Sequence, residues 1–290
     1  MKKASIVIVS LLLICIITAA TATQVFADTI FTADGFSYTV LNDNFASICD
    51  WDGGSDTLSV PEKLNSSRVK EIANRTFSGR DDFSSIDFSN ADYLDTIGSM
   101  AFMDCTTVTG DLSIPAQIKK IKLGAFQGCN SINTLYYNTT ASIPEQGFFG
   151  CTSLETVSLS DGVTSIGRLA FGKCESLTMI RIPDSVTTIN EYAFKDCPNA
   201  VIKCYRDSYA QQFAIDNGIS YDLINLKLGD VNLDGVININ DVTYIQMHDV
   251  QLITLGELEK KAADVNRDGE ITIRDATLIQ MYLANIITSF

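Results

Sequence analysis

Between residues 60 and 205 the apolar positions fall into a frame that recurs every 22 to 25 residues. Six copies are anchored on Phe77, Phe102, Phe126, Phe148, Phe171 and Phe194, and five residues before each stands Ile: Ile72, Ile97, Ile121, Ile143, Ile166 and Ile189. Six residues after the Phe comes another apolar position (Phe83, Val108, Ile132, Leu154, Leu177, Ala200). A short alternating stretch follows, clearest in 154–159 and 177–182, and alternation of that period is the pattern of a half-buried strand. A unit this short cannot bury its Ile, Phe and Leu alone. Stacking copies makes continuous apolar columns, with each strand pairing to the next along the axis, so the frame predicts a solenoid.

Such a stack needs closed ends. Residues 31–60, with alternating runs at 36–40 and 46–49, predict a strand-built N-terminal cap. Residues 207–218 predict a short helix over the last coil, with Asp207 or Ser208 as N-cap and Gly218 as the stop signal. The Ile-x4-Phe-x2-Cys-x2-Leu frame, best seen in 166–177, is similar to the bacterial leucine-rich repeats of the BspA-like (treponemal surface protein) family over about residues 33–224. Three residues after the Phe, five copies carry Cys (Cys105, Cys129, Cys151, Cys174, Cys197) and the first carries Arg80. One cysteine per coil predicts a single inward column with parallel side chains, which suits packing better than bridging. Cys49 and Cys204 have no evident partner.

Past residue 224 the pattern changes. Two twelve-residue loops, 230–241 and 264–275, carry Asp, Asn and Asp at positions 1, 3 and 5, a polar residue at 9 and Asp at 12. Gly stands at position 6, where the chain turns sharply. These are oxygen donors at calcium-loop spacing. The ligand positions are Asp230, Asn232, Asp234, Val236 (through its carbonyl), Asn238 and Asp241, then Asp264, Asn266, Asp268, Glu270, Thr272 and Asp275, for two Ca2+ ions. The same sequence recurs 34 residues on and continues past each loop into helical spacing, with Ile245-Gln246-Met247 repeated as Ile279-Gln280-Met281. No amphipathic helix precedes the first loop, which disfavours ordinary paired EF-hands.

Two loop–helix units of this kind resemble a dockerin, over about residues 228–290. The resemblance implies a cohesin domain of a scaffoldin as partner, and it implies contacts through Ile239, Asn240, Gln246, Met247 and Gln251 in one unit and Ile273, Arg274, Gln280, Met281 and Asn285 in the other. Ile-Asn and Ile-Arg stand where many type I dockerins have a hydroxyl pair, so the cohesin class stays open. The near-identity of the two units allows either helix to dock. Met247 and Met281 as plain core residues is the alternative reading.

The N-terminus begins Lys2-Lys3, runs apolar from Ile6 to Ala20 and reaches 25–27 before Asp28, the order of a secretory signal peptide cleaved after Ala27. An uncleaved anchor is the alternative, and the bulky Ile14 before Cys15 argues against a lipoprotein site. The organisation expected is therefore 1–27 signal peptide, 28–224 repeat domain with its caps, 225–228 linker and 229–290 dockerin. The fold class is a β-rich leucine-rich-repeat solenoid followed by a small all-α, EF-hand-like domain.

Net charge is −14, near −16 without Lys2 and Lys3, which argues against nucleic acid or anionic surfaces as partners. His248 is the one histidine, so a Ser-His-Asp triad or a histidine-bearing zinc site in the repeats is excluded by inventory. Ten residues after each anchoring Phe, with one inserted residue allowed in the second unit, lie Asp87, Ile114 or its neighbour Ser113, Tyr136, Ser158 and Arg181, a mixture compatible with protein binding and with a plain solvated face. The reading is a secreted, non-catalytic cellulosome component, extracellular or at the cell surface, with no membrane partner after signal cleavage. Its repeats recognise an unknown protein or surface ligand. The alternative is an accessory protein whose repeats bind or cleave plant polysaccharide, since the cellulosome serves polysaccharide catabolism.

Overall fold

A computed structural model describes residues 29–290 except 43, 206, 225, 226, 234 and 235. The expected signal segment 1–27 and half of the expected linker lie outside the described residues. The chain divides into two compact units: one runs up to Arg181 and includes Val186–Val201, and the other comprises Ile182–Ser185 and Ile202–Phe290. The fold is a β-solenoid followed in sequence by a small helical domain.

In the first unit three parallel ladders join neighbouring coils. The first is the expected strand: Gly110–Ile114, Ile132–Tyr137, Thr156–Leu159 and Met179–Arg181 pair side by side, and Ser85–Asp87 pairs with Thr57–Ser59. Leu112, Leu135, Val157 and Ile180 point inward and are buried, while the alternate positions face out. The second ladder runs through the Ile column, in strands as short as Thr96–Ile97 and Lys120–Ile121, with Ser165–Ile166 on Thr188–Ile189 farther along. The third runs through the turn at each Phe, where the Phe N–H donates to the carbonyl just before the next Phe: Phe77 to Ala101 at 2.8 Å, Phe126 to Gly147 at 2.9 Å, Phe148 to Ala170 at 2.8 Å.

That geometry stacks the six phenylalanine rings with centroids 5.1, 5.1, 5.4, 5.6 and 5.6 Å apart. Strand pitch sets the step, since coils joined by strand hydrogen bonds are about 4.8 Å apart. The turns carrying the Phe are left-handed at two points per coil. Arg75, Met100, Gly124, Gln146 and Leu169, two residues before the Phe, and Gly79, Asp104, Gly128, Gly150, Lys173 and Asp196, two after it, have φ between 53° and 74°.

The cysteine column is buried at Cys105, Cys129, Cys151 and Cys174 and half-buried at Cys197, and it has a further role. Each thiol reaches back one coil to a phenylalanine carbonyl: Cys105 to Phe77 at 3.0 Å, Cys129 to Phe102 at 3.0 Å, Cys151 to Phe126 at 3.3 Å, Cys174 to Phe148 at 3.3 Å and Cys197 to Phe171 at 3.0 Å. Burial pushes the Cys151 thiol up to about 12, so it stays a proton donor at any physiological pH. In the first coil Arg80 replaces the cysteine and makes the equivalent bond, its Nη1 donating to the Trp51 carbonyl at 2.5 Å. The seven described cysteines are unbridged.

The expected strand-built N-terminal cap is a hairpin, Phe36–Asn42 antiparallel to Phe45–Trp51, with Ile30–Ala33 added outside it. Trp51 is buried between Phe36 and Phe83, ring centroids 6.1 and 5.9 Å away.

In the second unit α1 (Tyr209–Asp216) starts at Ser208, whose hydroxyl accepts from the Gln211 N–H at 3.1 Å, and Gly218 follows its end at φ 64°. It buries Ala210, Phe213 and Ala214. Three more helices follow: α2 (Ile239–Asp249), α3 (Glu257–Ala263) and α4 (Ile273–Leu283). Val231, Val242, Ile245, Leu255, Ala263, Val265, Ala276 and Ile279 form their common core. The first loop opens a helix, and the described residues between Gly218 and that loop hold none, as expected. The second is preceded by α3, which the sequence reading left out.

Candidate calcium loops and docking faces

Each loop runs directly into a helix, and the loop ends are built from residues that also cap that helix. In the second loop the Thr272 hydroxyl accepts from the Arg274 N–H at 3.2 Å, while the Asp275 Oδ2 accepts from the Thr272 N–H at 3.0 Å. The first loop repeats the pattern, with Asn238 Oδ1 taking the Asn240 N–H at 2.7 Å and Asp241 Oδ2 taking the Asn238 N–H at 2.8 Å. This reciprocal cap satisfies two orphan donors of the first turn and puts a carboxylate near the positive end of the helix.

The other oxygen of the position-12 carboxylate closes the loop on its start. Asp241 Oδ1 accepts from Val231 N–H at 2.7 Å and Asn232 N–H at 3.1 Å; Asp275 Oδ1 accepts from Val265 N–H at 3.1 Å and Asn266 N–H at 3.3 Å. Both side chains belong to fully buried residues. The second loop then winds around Asp264, whose two oxygens accept from the N–H groups of Asp268 and Gly269 at 3.1 and 3.0 Å. Gly269, at position 6, has φ 85°, a conformation an L side chain resists.

Asp264, Asn266, Asp268, Glu270 and Thr272 therefore line one continuous loop with Asp275 at its base. In the first loop Asn238 and Asp241 repeat these closing bonds, while Asp234 lies outside the described residues. Among the described residues no three His, Cys, Asp or Glu side chains converge on one point, because the carboxylates hold loop N–H groups instead. The donor set is oxygen only: in the second loop the carboxylates of Asp264, Asp268 and Asp275, the Asn266 amide, the Thr272 hydroxyl and, at position 7, the Glu270 carbonyl. That chemistry fits a hard divalent cation of flexible geometry, and calcium above magnesium, which demands a stricter octahedron.

The expected docking residues are repeated at matching places on α2 and α4. Ile239 and Ile273 are 58% and 51% exposed, large for isoleucine, and Asn240, Arg274, Gln246 and Gln280 are exposed beside them. Met247 and Met281 are half-buried, so neither is a plain core residue. Gln251 and Asn285 lie just past the helix ends at φ 60° and 56°. Next to them the sequence reading missed two residues, Leu252 and Ile286, which are 73% and 68% exposed. Their 34-residue separation was the available signal. His248 is occupied with the chain after α2, its Nδ1 lying 3.3 Å from the Ile253 carbonyl and 3.4 Å from the Leu255 nitrogen.

On the repeat face the outward row is Asp87, Ser113, Tyr136, Ser158 and Arg181; Ile114 points into the core. Tyr136 is directly paired with Ser113 on one side and Ser158 on the other. No described helix is long and apolar enough to cross a membrane.

Residues 70–201 match the family of BspA type leucine rich repeat regions in six copies, and residues 228–284 match the dockerin type I domain. Both are binding rather than catalytic kinds of domain, and dockerin type I domains are calcium-binding. Among solved structures, the chain is similar to a leucine rich cell surface protein from Faecalibacterium prausnitzii, at 27% identity over 63% of this chain and 56% of that one, with a TM-score of 0.47. It is also similar to a leucine-rich repeat protein from Eubacterium ventriosum (20% identity, 60% and 46% of the two chains, TM-score 0.47) and to the leucine rich repeat protein of T. pallidum (21%, 59% and 70%, 0.38). The chain thus spans about half the length of the first two. No curated protein gives a significant match.

Proposed function

We propose that this chain is a secreted, non-catalytic component of a cellulosome, docked through residues 229–290 to a cohesin of a scaffoldin and presenting residues 28–224 as a recognition or adhesion module. The observation that carries the reading is the duplicated loop–helix unit, in which the same oxygen donors and the same exposed apolar residues recur on α2 and α4. Two Ca2+ ions, one per loop, would be held by the twelve ligand positions above, and winding the loops fixes the starts of the helices that bear the docking residues. Ile239 with Met247, and Ile273 with Met281, each form an apolar centre with amides around it, which is the composition of a stable interface centre.

Either face can dock, since the two match residue for residue at Ile, Gln and Met. Affinity for a panel of cohesins, measured at saturating calcium, tests this with Ile239→Asp/Met247→Asp, with Ile273→Asp/Met281→Asp and with all four changes. Each pair alone should leave binding close to that of the unaltered chain, and the fourfold variant should abolish it. Loss from one pair alone would refute dual docking. Full binding by the fourfold variant, with calcium uptake intact, would place the contact elsewhere. Incubation of the chain with a polysaccharide panel, scoring binding and reducing-sugar release, should give neither.

A further inference from the structure

The repeat frame is longest at one corner. From the outward strand position to the next column Ile the chain takes eight residues between Ser113 and Ile121, Ser158 and Ile166, and Arg181 and Ile189, seven between Tyr136 and Ile143, but ten between Asp87 and Ile97. The two additional residues fall in the segment 88–95, and beside it lies an open cavity of about 320 Å³. Its lining combines an apolar part, Ile86, Phe88 and Pro115, with a polar part, Asp87, Ser89, Asp92, Ser113 and Gln117.

The polar part presents acceptors. Asp87 is held by the Ser89 N–H, which donates to its Oδ1 at 2.8 Å, and Gln117 spends its Nε2 on the Ala91 carbonyl at 3.2 Å, which leaves its amide oxygen as the free end. Neither Asp87 nor Asp92 forms an ion pair with a described residue. The charged residues that line the cavity, Asp87 and Asp92, are of one sign, and the basic groups that reach the same segment are placed elsewhere on it, Arg68 over the Tyr93 ring and Lys70 beside Asp95. Residues 81–118 contain seven Asp and no Glu, Lys, Arg or His, the longest such stretch in the repeats. Flanking Arg80 is already committed to Asp82, Asp50 and the Trp51 carbonyl. The cavity defines the place, and the charge selects the occupant. A cation with an aliphatic stem satisfies both the apolar and the polar part, whereas a bare metal ion would leave Ile86, Phe88 and Pro115 against its shell. Tyr136, paired with Ser113 and exposed, adds an aromatic face on which a guanidinium can lie.

We infer that this corner cavity receives a lysine or arginine side chain from a basic segment of a partner protein. The inference rests on the reading of the repeats as a recognition module and is independent of cohesin docking.

The test uses the full chain with calcium saturating, so that the loop carboxylates are occupied, and fluorescein-labelled hexalysine and hexaarginine as probes. Asp87→Asn/Asp92→Asn should weaken binding of either peptide tenfold or more. Glu155→Gln/Glu175→Gln, which removes the same charge from exposed positions three and four coils away from Asp87, should change it less than twofold. Ser89→Trp, which fills the cavity and leaves the charge alone, should weaken it as the first variant does. Equal loss from the two charge variants, or full binding by Ser89→Trp, would show an unspecific polyelectrolyte contact and overturn the proposal. So would a neutral oligosaccharide that binds the chain and is displaced by Ser89→Trp but not by Asp87→Asn/Asp92→Asn. Unchanged cohesin affinity in every variant separates this outcome from failure of the docking reading.

Discussion

At the scale of the residue, the cysteines change what the repeat signature means. A small buried thiol fills the column, yet it also donates to a carbonyl one coil back, so its replacement loses contacts and a hydrogen bond together. Cys151→Ala should cost about 1–3 kcal/mol in urea unfolding at pH 7. The pH dependence has a definite sign. Folding raises the Cys151 thiol from the ordinary 9.0 to about 12, so its contribution is complete below pH 9 and is lost as pH rises from 9 towards 12. Within that window, stability should fall by up to about 1.4 kcal/mol per pH unit for this one group. Side-chain hydrogen bonding to Cys105 and to Cys197, with burial, raises Cys129 and Cys174, and burial raises Tyr137, which steepens the loss. Urea midpoints from pH 8 to 11 under reducing conditions, compared with Cys151→Ala, check this: a wild-type curve no steeper than the variant's would contradict it. Arg80 shows that the position wants a donor and not a thiol as such.

At the scale of the element, legibility in the sequence follows from what recurs. Ile, Phe and Cys repeat as side-chain identities because each column packs like on like, and the strand beside them shows its alternation. The Ile ladder was invisible as strand, since two residues such as Thr96–Ile97 are too few to alternate. The left-handed turn positions were invisible for another reason: Arg75, Met100 and Leu169 share a φ with Gly124, which the inter-coil hydrogen bonds impose on whatever residue stands there. Helix α3 is short, charged and stabilised by the core it covers, so its periodicity was weak. That both loops open helices was readable because apolar residues recur at helical spacing after each. Their closing carboxylates carry a prediction of their own. Asp275→Ala leaves three backbone N–H groups without their acceptor and should lower helical circular dichroism even with calcium saturating, whereas Asp268→Asn should lower only calcium affinity, by about tenfold. Equal helicity in Asp275→Ala and the unaltered chain would show that the carboxylate does not hold the start of α4.

At the scale of the whole molecule, oxygen ligands and apolar columns divide the chain's stability between two different agents. Chelation should remove helical signal that belongs to residues 229–290 and leave the strand signal of the coils, because the clustered loop ligands lie between 230 and 275. Circular dichroism of the full chain with and without chelator reads this, and loss of strand signal on chelation would refute it. The phenylalanine column has a consequence of another kind. From Phe126 to Phe194 the rings are parallel within 8° and step by 5.4 to 5.6 Å, so every joint in that run is interchangeable with the next. Excising residues 149–171 would bring Phe148 N–H onto the Ala193 carbonyl in place of Ala170, with the same donor, acceptor and pitch. Recombination can therefore shorten or lengthen this run without redesigning it, and the distance the solenoid spans is an inherited quantity counted in whole coils, a ruler graduated at about 5 Å.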